Sequence, residues 1–383
     1  MPSIRYITAM ALPVCLLLGS LSADYRAVVG WGENDFGQRN EQSILSGHHL
    51  ISAGYKHSLA LRSDGTVDAW GWGAFGQTSV PVGLTDVVAI ECGSYSSFAL
   101  TSEGDLVAWG LPYTDQAAAI ASLGATIAIA AGDLHAVAVK SDGTVVVWGD
   151  NGSNQRDIPV GLNGVTNVSA VGNFTLALKD DQTVVAWGSN TNGETSVPTG
   201  LTDVVQIAAG GSHALALKSD GTIVAWGANT FGQIDVPSNI GPVTQVAAGL
   251  NHSLALKPDG TLVAWGSNSE QQSDVPQGLV SIGQVTAGGD FSIALIELNT
   301  NCIVGDVTGD GTVNIDDHIA LGAQLGICDG DINRDGAVDV SDFSLFLVSF
   351  GSTCDAPVRT AVASALKAAH QPSAGTATHR RGS

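Results

Sequence analysis

Residues 204–237 read VVQIAAGGSHALALKSDGTIVAWGANTFGQIDVP and contain one complete unit of a pattern that recurs along the chain. Three segments of this unit are apolar or alternate between apolar and polar residues, as expected of short β-strands: residues 204–209, 213–217 and 223–226. The Asp220-Gly221 pair predicts a tight hairpin turn between the last two, because glycine accepts the positive φ that such turns need. Residues 232–236 are a candidate fourth strand, which Pro237 would end. The unit thus predicts three or four short strands and no helix.

A Trp-Gly pair marks each copy of this unit. The tryptophans recur at a constant interval of 39, at Trp31, Trp70, Trp109, Trp148, Trp187, Trp226 and Trp265. A constant period of about 40 residues is typical of β-propellers and solenoids, and several short strands within that length are typical of a propeller blade. Burial of one Trp side chain contributes about 2–3 kcal/mol. We therefore expect this column of tryptophans in the core.

The two ends of the repeat region complement each other. Residues 25–31 form the last strand of a unit without the hairpin that should precede it, whereas the unit after Trp265 lacks that strand. Pairing the two fragments would complete one unit and would leave no exposed sheet edge. The span 25–298 also holds seven such intervals almost without remainder. The sequence therefore predicts a mainly β fold, with a closed seven-bladed β-propeller over residues 24–298.

The unit resembles a known family. Its pattern Ala-Ala-Gly-x-x-His-x-Leu-Ala-Leu-Lys-x-Asp-Gly-Thr-x-x-Ala-Trp-Gly is similar to the regulator of chromosome condensation repeat, a family of seven-bladed propellers. The short units look more like those of secreted bacterial members than like the eukaryotic ones. The nucleotide-exchange and chromatin roles are not expected here, because a formal net charge of -21 opposes contact with nucleic acid.

The N-terminus has the features of a secretory signal peptide, predicted over residues 1–23. Arg5 precedes an apolar stretch at residues 7–21, and small residues follow near Ala23. A lipid anchor at Cys15 is a weaker alternative. No later stretch is apolar enough to predict a membrane span. We therefore expect a secreted, extracellular protein, or one that is attached to the cell surface.

The composition changes at residue 299, where an Asp-rich module begins. Two segments place oxygen-bearing side chains, and one backbone carbonyl, at the spacing of calcium-binding loops, with Gly at the sharp bend. The predicted ligands of two calcium ions are Asp306, Thr308, Asp310, Thr312, Asn314 and Asp317 in the first loop, and Asp331, Asn333, Asp335, Ala337, Asp339 and Asp342 in the second. One apolar-patterned helix follows each loop, and position 12 is Asp where an EF-hand has Glu.

A duplicated loop–helix unit of this kind is similar to the type I dockerin family. The resemblance implies a small α-helical calcium-binding domain over residues 299–356 and a cohesin-like partner. It also implies that the two ends lie close together, which favours a Cys302–Cys354 disulfide, with Cys302–Cys328 as the alternative. Residues 357–383 are rich in Ala, Ser and Thr and are expected to be disordered.

The propeller carries no catalytic constellation that the sequence reveals. The His column at His57, His135, His213 and His252 is expected to be structural. Trp72 lies outside the Trp column and, with Phe75, is a candidate interface, although local packing is the stronger alternative. We therefore expect a non-catalytic binding protein whose propeller recognises a protein or a glycan. The alternatives are an inhibitor of a secreted enzyme and a component of polysaccharide degradation.

Overall fold

The structure is a computed structural model that describes residues 26–39, 47–276, 279 and 281–297. The chain divides into two units, residues 1–298 and 299–383, and all described residues lie in the first. They form seven three-stranded antiparallel sheets and one helix. The mainly β fold that the repeat predicts is therefore confirmed.

The strands follow the repeat along the chain. In chain order they are β1 (Arg26–Gly32), β2 (His48–Ala53), β3 (His57–Arg62), β4 (Val67–Gly71), β5 (Val87–Cys92), β6 (Ser96–Thr101), β7 (Leu106–Gly110), β8 (Thr126–Ala131), β9 (His135–Lys140), β10 (Val145–Gly149), β11 (Val165–Val171), β12 (Phe174–Lys179), β13 (Val184–Gly188), β14 (Val204–Ala209), β15 (His213–Lys218), β16 (Ile223–Gly227), β17 (Gln245–Ala248), β18 (His252–Leu256), β19 (Leu262–Gly266), β20 (Ile282–Ala287) and β21 (Phe291–Glu297); the helix is α1 (Gln116–Leu123). We number the sheets I (β2-β3-β4), II (β5-β6-β7), III (β8-β9-β10), IV (β11-β12-β13), V (β14-β15-β16), VI (β17-β18-β19) and VII (β20-β21-β1).

Sheet V shows how one unit folds. Its hairpin between β15 and β16 is closed by Asp220, whose Oδ1 accepts hydrogen bonds from the backbone N–H and the hydroxyl of Thr222 at 2.9 and 2.7 Å. Gly227 of the Trp-Gly pair has a φ of +101°, and a Cβ there would lie 2.7 Å from the carbonyl oxygen of Ser212. The Gly after each Trp is thus required by both the backbone conformation and a close approach.

The candidate fourth strand at residues 232–236 is wrong. The segment is a turn without strand pairing. Two side chains hold it, because Gln233 Oε1 accepts the N–H of Phe231 at 2.9 Å and Asn229 Oδ1 accepts the N–H of Ile234 at 3.2 Å. These local side-chain acceptors satisfy the backbone donors that a fourth strand would have used for pairing.

The unit marked by Trp109, whose strands form sheet II, departs from the others by forming helix α1, which the sequence did not predict. The helix replaces the turn and the Val-Pro segment that follow the third strand in other units, and it buries Leu123. Tyr113, which lies just before the helix, is buried, and its hydroxyl donates a hydrogen bond to the carbonyl of Gly132 at 3.0 Å. Trp148 has no partner for its indole N–H among the described residues, whereas Trp187 donates to the carbonyl of Gln155 at 2.8 Å.

The predicted pairing of the two ends of the repeat region is confirmed. Strand β1 pairs with β21 from Arg26↔Glu297 to Gly32↔Phe291, so the first strand completes sheet VII. Each sheet contacts the next in chain order, and sheet VII contacts sheet I. The core therefore consists of layers between neighbouring sheets. One such layer packs Phe174 and Leu176 of sheet IV against Trp226 of sheet V.

Glutamine side chains fasten some of these neighbours. Gln206 Nε2 donates to the carbonyl of Val246 at 3.0 Å, and its Oε1 accepts the N–H of the same residue at 2.9 Å. Gln284 binds Ile51 in the same way, with distances of 3.1 and 3.0 Å. The first pair joins sheets V and VI, and the second joins sheets VII and I. Both satisfy peptide groups that would otherwise be buried without partners.

The first strands of six of the seven sheets, all except sheet III, line a central cavity of about 100 Å³. We call the end where each first strand turns into the second the upper face, and the end with the hairpins, such as Asp220-Gly221, the lower face. The third strand also ends at the upper face, because His57 pairs with Gly71 and His213 with Gly227. Loops that follow the Trp-Gly pairs therefore lie beside the turns between the first and second strands.

Candidate functional site

The two sequence-predicted interface residues lie on the upper face, in the loop after β4. The backbone N–H of Trp72 donates to the carbonyl of Lys56 at 2.8 Å, which anchors the loop to the neighbouring turn. The N–H of Phe75 donates to Gln77 Oε1 at 2.9 Å, and this bond turns the Phe75 ring outward. The Phe75 side chain is 45% exposed, whereas Trp72 is half-buried.

The structure adds three rings to this pair. Trp72 contacts Phe75, Phe36 and Tyr95, with ring centroids 5.3, 5.7 and 5.8 Å apart. Tyr95 also contacts Phe75 and Tyr55, at 5.6 and 6.4 Å. We call these five residues, Phe36, Tyr55, Trp72, Phe75 and Tyr95, the aromatic patch. Trp72 therefore packs locally, as the alternative prediction held, but it does so as the centre of an accessible cluster.

The repeat register could have found one of the missed rings. Phe36-Gly37-Gln38 stands one repeat before Phe75-Gly76-Gln77, and both turns bind the Phe N–H through the Gln side chain. Phe36 is 44% exposed. Tyr55 and Tyr95 lie in turns between first and second strands, and only the sheet register brings them beside the loop that carries Trp72.

A single cation lies against these rings. Lys56 Nζ is 4.9 Å from the centroid of Phe36 and 5.6 Å from that of Tyr55, within the range of a cation–π interaction. Its ammonium also donates to Glu33 Oε1 at 2.7 Å. This hydrogen bond to Glu33 raises the pKa of Lys56. The ammonium group is thus neutralised within the chain.

Carboxylates border the patch on two sides. Asp133 accepts a hydrogen bond from the Ser94 hydroxyl at 2.6 Å and lines a small depression at the upper mouth of the central cavity, beside Tyr55. Burial and then the charge of Asp133 raise the pKa of Tyr95. Asp290 accepts from Gln272 Nε2 at 3.0 Å, and burial followed by the charge of Glu33 raises its pKa. The patch therefore lies in a negative field.

The histidine column is structural, as predicted, but its bonds run between sheets. His213 Nε2 lies 3.0 Å from the hydroxyl of Ser253 in the next sheet. The same contact recurs at 3.0 Å for His57–Ser97, at 2.9 Å for His135–Thr175 and at 2.9 Å for His252–Ser292. Gly210 leaves room for the imidazole, since a Cβ there would lie 2.2 Å from the His213 ring. These side chains are buried between sheets and present no surface to a ligand.

The central cavity holds one perturbed acid. Burial raises the pKa of Glu91 to about 8, while hydrogen bonds from the Ala131 N–H and the Ser52 hydroxyl favour its charged form. The neighbouring Cys92 is buried and forms no disulfide within the described part of the chain, and burial raises the pKa of its thiol. A buried thiol with a raised pKa is a poor nucleophile. Both groups are held by neighbouring strands, and neither forms a catalytic set.

Other sequence predictions concern regions outside the described part. The twelve calcium ligands, the Cys302–Cys354 and Cys302–Cys328 pairings and the signal peptide all fall there. Within the described ranges, no group of three or more His, Cys, Asp or Glu residues is arranged to hold a metal ion. No helix among the described residues is long and apolar enough to cross a membrane.

A family model for the regulator of chromosome condensation (RCC1) repeat matches the chain six times, at residues 49–77, 87–114, 127–155, 165–194, 204–233 and 243–272. The chain contains six RCC1 repeats. Each match begins in or next to the first strand of a sheet and ends near the turn after its third strand, so the RCC1 repeats and sheets I to VI coincide. No curated protein sequence matches the chain.

Several solved structures share this fold. Prp20p from Saccharomyces cerevisiae, described with its binding properties to Gsp1p and histones, is 18% identical, with a TM-score of 0.62 over 73% of this chain and 94% of that chain. Human WBSCR16 is 18% identical, with a TM-score of 0.55 over 72% and 99%. The ectodomain of the Physcomitrella patens receptor kinase CR4 is 22% identical, with a TM-score of 0.51 over 63% and 68%. At these identities the likeness concerns the fold alone.

Proposed function

We propose that the seven sheets are the blades of one closed, seven-bladed propeller. The hydrogen-bond separations support this. Gln206 binds a residue 40 positions later, whereas Gln284 binds Ile51 across a separation of 233. The two separations add to 273, which is seven repeats of 39. The indole hydrogen bonds of the Trp column agree. Trp187 donates to the carbonyl of Gln155 across 32 residues, whereas Trp31 donates to the carbonyl of Gln272 across 241, and these two separations also add to 273.

We propose that this propeller is a non-catalytic interaction protein that binds a partner protein through the aromatic patch. The exposed rings on the upper face carry this proposal. Large, rigid aromatic side chains dominate the energetics of protein interfaces, especially where one ring lies at the centre of a cluster. The rings of the patch are mainly tilted or edge-to-face, so they do not form the flat platform on which a sugar ring stacks. We therefore favour a protein over a glycan.

A photo-crosslinking experiment tests the protein-binding proposal. A benzophenone amino acid replaces Phe75 in the full chain, and a matched variant carries it at Phe231, which is 52% exposed and occupies the same turn four repeats later. Both proteins are exposed to the secreted and surface proteins of the source cells. We expect defined crosslinked partners at position 75, their loss when Trp72→Ser is added, and none at position 231. Equal labelling at both positions, or capture of glycans alone, would refute the proposal.

The export and the C-terminal module are further parts of this proposal. We propose that the mature protein is secreted or held at the cell surface, and that two calcium ions fold residues 299–356 into a dockerin-like module for a cohesin-like partner. Calorimetry of the full chain should show two calcium sites, with one lost in Asp306→Asn and the other in Asp331→Asn. Each of these Asp residues occupies position 1 of its loop, and absence of calcium binding would remove this part.

The inhibitor alternative depends on the same surface. Phe36 and Phe75 project from adjacent turns and would enter an enzyme cleft as a pair. The crosslinked partner distinguishes the two cases: a hydrolase whose activity falls on binding would indicate an inhibitor. The polysaccharide alternative rests on the dockerin resemblance alone.

A further inference from the structure

We infer that the partner inserts an arginine side chain at the upper mouth, with its guanidinium group against Tyr55 and Tyr95 and hydrogen-bonded to Asp133. This inference rests on the proposed protein-binding function and specifies the chemistry of the partner. It is argued from the unused hydrogen-bonding capacity of Asp133, from the rings beside it and from a lysine that the patch already holds.

Asp133 offers an acceptor at the mouth. Its Oδ1 is held by the Ser94 hydroxyl at 2.6 Å, which orients the carboxylate. Its Oδ2 makes no hydrogen bond to the described residues. The side chain is half-buried at the depression that Tyr55 and Ser94 also line. A half-buried carboxylate with a free oxygen can accept a hydrogen bond from a cationic donor, and such charged hydrogen bonds are stronger than neutral ones.

The rings beside Asp133 suit a planar cation. Tyr55 lines the same depression as Asp133, and its ring contacts that of Tyr95 edge to face, with centroids 6.4 Å apart. Aromatic faces attract cations, and guanidinium groups stack on them while donating to a carboxylate. The negative charge of Asp133 reaches Tyr95, because it contributes to the raised pKa of that phenol. The Tyr55 ring and the Asp133 carboxylate therefore border the same depression.

Lys56 shows that this surface holds a cation. Its ammonium lies over Phe36 and Tyr55 while it pairs with Glu33. That arrangement combines aromatic rings with one carboxylate, and Tyr55, Tyr95 and Asp133 offer the same combination of groups. Asp290 and Glu33 add further negative charge, so an anionic partner would be repelled more than the neutralised Lys56 would attract it.

Blocked tripeptides test the arginine directly. The probes are acetyl-Gly-Arg-Gly-amide, its citrulline counterpart, which has nearly the same shape without the charge, and acetyl-Gly-Glu-Gly-amide. Binding to the full chain is followed by NMR shifts of the tyrosine ring signals. We expect the arginine probe to bind at least about tenfold more tightly than citrulline, and the glutamate probe not to bind.

Two isosteric variants locate the site. Asp133→Asn keeps the acceptor for Ser94 and should weaken the arginine probe at least about tenfold. Asp203→Asn removes one charge on the lower face, at a positive φ of 62° that Asn also accepts, and should change the affinity less than about twofold. Equal binding of arginine and citrulline, tighter glutamate binding, or no effect of Asp133→Asn would each overturn the inference.

The two failures are separable. If crosslinking at Phe75 persists with full yield in Asp133→Asn and the arginine probe does not bind, the arginine assignment fails and the protein-binding function stands. If position 75 captures no partner that depends on Trp72, the function itself fails, whatever the tripeptides do.

Discussion

At the residue scale, His57, His135, His213 and His252 of the histidine column are each matched to a hydroxyl in the next sheet. The His213–Ser253 pair has a natural counterpart in Phe174 and Ala214, which occupy the same two positions one sheet earlier and pack in one core cluster. The apolar ring thus faces a methyl group where the imidazole faces a hydroxyl. At these two interfaces the positions change together, because an imidazole opposite a methyl group would lose a buried hydrogen bond.

This matching predicts a coupling between the two positions. We expect His213→Phe and Ser253→Ala each to lower the free energy of unfolding by about 1–2 kcal/mol. The double variant, which copies Phe174 and Ala214, should cost less than the sum by about 1 kcal/mol. Urea denaturation of the four proteins measures this cycle. Strict additivity would show that the pair does not interact.

The buried histidines also predict the response to acid. Burial lowers the pKa of His57, His135 and His213 to about 4 and that of His252 to about 3. In the unfolded chain each titrates near 6.5, so between pH 6.5 and 4 the unfolded chain binds more protons and stability falls as the pH is lowered. Glu91 offsets the effect of one of these four histidines on stability. Because its pKa is raised in the folded chain, the folded chain binds this proton at a higher pH than the unfolded chain does.

The slope of stability against pH tests this assignment. It is about 1.4 kcal/mol per pH unit for each unopposed histidine. The His213→Phe/Ser253→Ala variant should lose one such contribution, and Glu91→Gln should add one. An unchanged slope in both variants between pH 6 and 5 would contradict the assignment.

At the element scale, sheets are joined by side chains that satisfy the neighbouring backbone. Gln206 binds both peptide groups of Val246, while the equivalent column position in sheet I is Leu50, which packs without such a bond. The interfaces between sheets therefore differ along the chain. At this position some interfaces carry an amide clamp, and the interface at Leu50 packs an apolar side chain instead.

The clamp predicts a local cost. Gln206→Leu leaves the N–H and carbonyl of Val246 without these partners, which should lower the free energy of unfolding by about 1–3 kcal/mol. Hydrogen exchange should be fastest, relative to the wild type, at the Val246 amide. Unchanged protection of that amide would show that the clamp carries no stability. Leu50→Met, a volume-conserving change in the unclamped column, provides the control.

At the scale of the whole molecule, the pairing of β1 with β21 makes the last sheet depend on both ends of the repeat region. In a closed ring, the interface between sheets VII and I is equivalent to the others. Gln284→Leu should therefore cost as much as Gln206→Leu, to within about 0.5 kcal/mol, with unfolding still in one transition. A much smaller cost for Gln284→Leu in the same denaturation experiment would indicate that the ring opens there.

The repeat pattern predicted the three strands of each unit, the buried tryptophans and the joining of the chain ends, because all three follow from period-2 alternation and the constant interval of 39. The turn at residues 232–236 was missed, because its backbone donors are satisfied by Asn229 and Gln233 rather than by a neighbouring strand. Helix α1 was missed because the segment after Trp109 departs from the repeat pattern, and the strand and turn predictions were all based on that pattern.

The sequence by itself determined the architecture, because every unit repeats the same local rules of strand, turn and Trp-Gly pair. The sequence also singled out Trp72 and Phe75, but tertiary structure alone decided which residues join them at the candidate site. Phe36, Trp72 and Tyr95 belong to three separate loops of the chain, and they meet because the ends of third strands and the turns after first strands lie on one face. Asp133 and Lys56 join them only through that arrangement of sheets, so the chemistry of the patch depends on distances that no local pattern encodes.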